Sequence, residues 1–283
     1  MTTTTKPLTT PPTTPTAGRT QDTGSTRPRP AIYLTEARHE FLKLIRVPIF
    51  AVSTIALPLM FYVLFGVAFG GGAGRPDDGG AGATTYLMAT YGTFGVIGAA
   101  LFGFGVSVAV ERGQGWMRLK RVSPMPPQAY FVAKVAMSTG VSALIIGALF
   151  ALGATLGGVR MPATGWTGLA LVLLLGALPF SAMGLAFGYL VGPNSAPALL
   201  NLVHLPMAFA SGLWIPIHEL PAFVQGIAPA LPPYHFAQLA LGTVGADAGG
   251  SPALHVVALL ASTAVFLAVA AWGFRRDEGR TYG

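Results

Sequence analysis

The side chains that could do chemistry are few and sit in a handful of places. Between two long apolar stretches stands Glu111-Arg112-Gly113-Gln114-Gly115-Trp116-Met117-Arg118-Leu119-Lys120-Arg121-Val122-Ser123-Pro124-Met125-Pro126-Pro127. A carboxylate and a guanidinium at the exit of an apolar run, then a short basic turn closed by three prolines, describe a rigid knob that another protein can grip. Basic residues alone would only fix which side of a membrane the loop occupies. The Glu, the paired glycines and the proline stop go beyond that. Asn201 and His204 lie three apart inside another apolar run, so they share a helix face where polar groups are costly. They either hydrogen-bond neighbouring helices or line a substrate path with aromatic residues such as Phe94 and Phe102. His39, His204, His218, His235 and His255 form no i, i+4 pair, and the chain has no cysteine, so no metal site is expected. His218-Glu219 reads as a solvated loop pair, and Asp77-Asp78 as part of a Gly-rich turn. Neither a Ser-His-Asp constellation nor a Gly-x-x-x-x-Gly-Lys-Ser/Thr phosphate cradle is present.

The elements that hold these groups follow from composition. Of 283 residues, 52% are hydrophobic and only 10% charged, with 17 Lys and Arg against 10 Asp and Glu for a net charge of +7. Mean hydropathy is +0.60. A soluble domain carries about 25% charged residues, so there are too few polar side chains to cover a water-facing surface of this size. That argues against a soluble enzyme. The pI near 10.0 does not make a nucleic-acid binder, because the basic residues fall in short clusters between apolar runs rather than on one polar face.

A bilayer core about 30 Å thick needs roughly 20 apolar helical residues. Six runs qualify, at 48–70, 86–110, 135–157, 167–191, 198–217 and 253–274. The fourth and fifth come from one uncharged stretch, divided at Gly192-Pro193-Asn194-Ser195 on turn chemistry. Counting Lys and Arg on alternate sides puts fifteen on one side and only Arg75 and Arg160 on the other, which also holds Asp77, Asp78, Glu219 and Asp247. The basic side is cytoplasmic by the positive-inside rule, so both termini are expected there. Residues 1–30 are Thr/Pro-rich with almost nothing apolar and read as a disordered cytoplasmic tail without a signal peptide; 277–283 form a short second tail.

Three further features flank the spans. Residues 31–47 read as an amphipathic helix in the cytoplasmic interface, with Leu34, Ala37, Phe41 and Leu44 on its apolar face; Glu36, Arg38, Glu40, Lys43 and Arg46 supply its charge. Pro48 bends it into the membrane. Leu213 to Pro252 is too apolar for a free outer loop, and 222–228 and 235–241 read as short helices that dip into the outer leaflet or cap a cavity. Gly184, Gly188 and Gly192, like Gly66 and Gly70, repeat every four residues and suit close helix packing within the chain.

The whole order resembles the type-2 ABC transporter permeases, in the subgroup that includes daunorubicin-resistance-type drug exporters. The likeness covers about 31–276. It is carried by Glu111, Arg112, Gly115, Leu119, Arg121, Ser123, Pro124 and Lys134 on the inside, and by Ser211, Gly212, Pro216, Leu220 and Pro221 on the outside. The resemblance implies an all-α permease of six spans, working in the bacterial plasma membrane as one half of a two-permease, two-ATPase exporter. In such a machine Glu111, Arg112, Gly115, Arg118, Leu119, Lys120 and Arg121 form the loop that docks into a separate ATP-binding subunit. ATP and Mg would be bound by that partner and not by this chain, and the second permease would be an identical copy or a sibling. Trp116 and Met117 depart from the small or polar residues expected there and bear on the choice of ATPase. The implied cargo is a hydrophobic or amphipathic small molecule or a lipid. Export of a glycan or lipid-linked polymer is the alternative within transport. An intramembrane lipid-modifying enzyme is the alternative outside it, and would need interfacial carboxylate or histidine clusters that the sequence does not offer.

Overall fold

The computed structural model describes residues 35–40, 42, 48–69, 82–116 and 127–279. Among these every regular element is helical. The 1–30 tail, Lys43, Arg46, the Asp77-Asp78 pair and the tip of the knob, with Arg118, Leu119, Lys120 and Arg121, lie outside the described residues.

Prolines set most helix starts. After α1 (35–40) come α2, Pro48–Phe61, running on as π-helical turns Tyr62–Phe69, α3, Ala83–Gly113, and α4, Pro127–Thr155. They are followed by α5, Ala163–Leu190, α6, Ala196–Ala210, α7, Ala222–Ile227, α8, Pro232–Gly242, and α9, Pro252–Gly279. Pro48, Pro127, Pro232 and Pro252 are first residues of their helices, and Pro162 and Pro221 immediately precede theirs. Proline suits these places because its φ is already helical and its missing N–H would have had no partner in the first turn.

Four segments are long and apolar enough to cross a membrane: Ala83–Gly113, Ala129–Thr155, Ala163–Leu190 and Pro252–Asp277. The protein is therefore built to be embedded in a membrane. Two shorter apolar helices, Thr54–Ala68 and Ala196–Ala210, accompany them. The fifth expected span, 198–217, is corrected here. Its helix ends at Ala210, where Gly212 takes φ +78° and the Leu213 N–H turns back to Ala208 O at 3.1 Å. This is a left-handed glycine stop, and the Pro216 beyond it cannot resume the helix.

The core centres on α3, whose apolar window is 78% buried, while that of α9 is 17% buried and forms the periphery. Close approach to α3 depends on glycine. A Cβ on Gly105 would lie 2.9 Å from Gly184 O, and one on Gly188 would lie 2.8 Å from Val108 Cβ. The two backbones of α3 and α5 therefore touch with no side chain between them. At the other end, Phe236 of α8 lies where a Cβ on Gly176 would be, 2.0 Å away, and stacks on Phe180 at 5.6 Å. The apolar 213–252 segment is thus anchored to the end of the bundle by α8.

Candidate functional site

The last turn of α3 is where the bundle is tied together. Lys134, in the second turn of α4, has its Nζ 2.6 Å from Glu40 Oε2 and 2.9 Å from Glu111 Oε1. Tyr130, one turn earlier, donates to Glu111 Oε2 at 2.8 Å. Lys134 and Glu40 are each 1% exposed. A buried ammonium shared by two carboxylates is tolerable only when all three are held together, since either ion alone would face a desolvation cost of several kcal/mol. The site therefore locks α1, α3 and α4 to one another.

Arg112 points elsewhere. Its guanidinium donates to the carbonyls of Tyr189 and of Val191, the latter at 2.8 Å, and its Nη1 lies 3.5 Å from Asp277 Oδ1. It closes the C-terminus of α5, where carbonyls lack helical donors and the dipole favours a cation. It also reaches the end of α9. Beside it, a Cβ on Gly113 would meet Pro193 Cγ at 2.6 Å, so α3 ends hard against the α5–α6 turn. Gly115, at φ +77°, then stops the helix before the knob. Three consecutive residues thus engage α1, α4, α5 and α9.

Two sequence expectations change here. Glu40 is not on a solvated charged face: it is drawn inward by Lys134, whereas Arg38 remains exposed and Glu36 half-buried. Glu111 and Arg112 do not pair with each other but with separate elements. Lys134 and Tyr130 escaped as members of this site. Their signal was present, because a lone lysine opening an apolar helix with a tyrosine one turn before it needs a buried counter-ion.

The four expected path residues converge on one cavity of about 240 Å³ between α2, α3 and α6, bordered by Phe94, Phe102, Asn201 and His204. Phe94 stacks on His204 with centroids 4.7 Å apart and planes 12° from parallel, and Phe102 meets the same imidazole edge-on at 6.0 Å. His204 is 3% exposed, and its Nε2 has no hydrogen-bond partner. Asn201 is exposed and its Nδ2 donates to Pro197 O at 3.2 Å. Interhelical hydrogen bonding, one of the two roles open to this pair, is therefore not what either side chain does here.

A second cavity of about 890 Å³ opens at the other end of the bundle from the ion network. Phe94 stands between the two, with Trp214 at 5.6 Å and Phe61 at 6.4 Å, and both of those rings line the larger space. Near it, His235 and His255, twenty residues apart, meet with Nδ1 atoms at 2.8 Å, and His235 Nε2 lies 2.8 Å from Pro229 O. Since that carbonyl can only accept, Nε2 carries the proton, and in the neutral pair His255 Nδ1–H donates to His235 Nδ1. The pair ties α8 to α9. No group of three or more metal-ligating side chains occurs among the described residues.

A family model for the ABC-2 type transporter matches residues 33–244, from the start of α1 past the end of α8. The chain belongs to the ABC-2 type transporter family. Within that family it is similar to YvfS of Bacillus subtilis (strain 168), whose name contains the words transport permease. The two are 28% identical over 240 residues, covering 84% of this chain and 95% of the relative. The ABC-2 match includes the last turn of α3, the ion network and both cavities.

Proposed function

We propose that this ABC-2 chain is the membrane subunit of an ATP-driven exporter that moves a hydrophobic or amphipathic small molecule or a lipid. The observation that carries the reading is the last turn of α3. Glu111, Arg112 and Gly113 engage four other helices immediately before the basic knob. A push on the knob would reach those helices through short, buried, charge-assisted contacts rather than through a flexible linker. Arg118, Leu119, Lys120 and Arg121 are the surface on which a separate ATPase would act, with ATP and Mg bound there. In this reading α2 and α6 complete a six-span bundle, a second permease copy or sibling faces α6, and both termini lie on the cytoplasmic side of the plasma membrane. The cavity around His204 is the entry to the path.

The test is affinity purification in mild detergent with identification of every bound chain, followed by ATPase assay in vesicles. Copurification of an ATP-binding protein whose hydrolysis this chain stimulates is expected, with stimulation lost in Arg121→Ala and Glu111→Ala. Absence of such a partner, or full stimulation in both variants, would overturn the reading.

A further inference from the structure

The larger cavity differs from the smaller one in charge as well as size. Its walls are aromatic, with Phe61, Phe65, Tyr86, Tyr91 and Trp214 on one side. Its described lining contains two carboxylates, Glu219 and Asp247, both exposed, and no Lys or Arg. His218 is the remaining lining group that titrates near neutrality. The chain between Phe69 and Gly82 adds Arg75, Asp77 and Asp78, a formal charge of −1, at the end of two elements that border the cavity. At about 890 Å³ the space falls within the range that holds a drug-sized ligand, roughly 300–1,000 Å³.

We propose that this cavity is a binding site for a monovalent amphipathic organic cation. Ring faces carry negative quadrupole charge and attract an onium centre, more strongly where water is excluded. Carboxylates at the rim add attraction from a distance and repel anions. A bare divalent ion fits poorly, because Glu219 and Asp247 come from separate connections and such an ion needs six or more oxygen ligands in one shell. An apolar body with delocalised charge satisfies both walls and rim. The Trp214 indole N–H, buried and without an acceptor, offers a donor to any oxygen such a ligand carries.

The inference rests on the exporter reading only in making this cation class the cargo; binding requires no ATPase. The decisive experiment is equilibrium dialysis of tetraphenylphosphonium and tetraphenylborate, alike in shape and opposite in charge, against the full chain in lipid nanodiscs, with empty nanodiscs subtracted. Saturable binding of the phosphonium and none of the borate is expected. Glu219→Gln with Asp247→Asn should weaken the phosphonium about tenfold, and Glu219→Asp with Asp247→Glu should restore it. Both positions are exposed, so thermal melting should be unchanged. Equal binding of the two ions by the native chain, or an unchanged affinity in the Gln/Asn variant, would overturn the proposal whether or not any ATPase is found. Conversely, a failed ATPase assay beside selective phosphonium binding would sink the exporter reading and leave the site standing.

Discussion

The two ends of the bundle use polar groups in opposite ways. At the Glu111 end every described ionic side chain is committed: Lys134 to Glu40 and Glu111, Arg112 to two carbonyls and Asp277. At the His204 cavity and beyond it, polar atoms are left over, with His204 Nε2 and Trp214 Nε1 buried and unpartnered and Glu219 and Asp247 facing a cavity. Committed charges make a rigid joint. Uncommitted donors and acceptors make a place for something that is not yet there. The contrast teaches where to look for each function, because a joint must not change partners while a binding site must.

The largest effect should come from breaking the joint. Lys134→Met leaves two carboxylates facing each other in a buried site and should cost about 3–5 kcal/mol of stability, seen as a large fall in the unfolding midpoint in detergent. Replacing the whole set, Glu40→Gln with Lys134→Met and Glu111→Gln, removes the charges together and should recover most of that loss. If the joint also transmits motion, this repaired protein melts normally yet remains uncoupled from its ATPase. A repaired protein that couples fully would reduce the network to a stabilising device.

A smaller cost is expected where the two regions meet along α3. Gly105→Val would push a side chain into Gly184 O, 2.9 Å from the position of the new Cβ. Overpacking of this kind costs about 1–3 kcal/mol, measured as a lowered melting midpoint. Gly192→Ala, with nothing within 4 Å, should cost far less. A similar loss in both would show that helix propensity rather than the α3–α5 crossing governs these glycines.

Much of the joint and of the path could be read in advance, but not the partners. Glu111 and Arg112 stand out because charges at the exit of an apolar run need a reason, and Phe94, Phe102, Asn201 and His204 because aromatic and polar positions on neighbouring runs suggest a lined space. The helix starts follow the prolines. What periodicity could not supply was tertiary choice. Glu40 fits the charged face of an amphipathic helix equally well whether that face meets headgroups or a buried lysine ninety-four residues away. His235 and His255 are joined by a helix and a turn that bring them together only after α8 has docked through Phe236 on Gly176. The fifth span ran too long on paper because Leu213 to Ile217 is as apolar as the helix before it, and only the left-handed Gly212 separates them.

The smallest and most discriminating effects lie in the His204 cavity. His204→Phe keeps a ring against Phe94 and deletes a buried nitrogen that has no partner, so the protein should become more stable, by about 1 kcal/mol. A gain from removing a polar group is the expected mark of a site kept for function rather than for folding. Asn201→Ala should leave the midpoint within about 0.5 kcal/mol, because its side chain is exposed and bonds only its own helix. Vesicle transport separates the meanings of these two nearly silent changes. If the cavity is part of the path, both variants lose transport while melting as well as or better than the native chain, the reverse of the repaired Glu40, Lys134 and Glu111 variant, which loses ATPase coupling. Should His204→Phe destabilise the protein, its Nε2 has a partner in the assembled transporter, and the contrast between a committed end and an uncommitted one would fail at the residue that defines it most sharply.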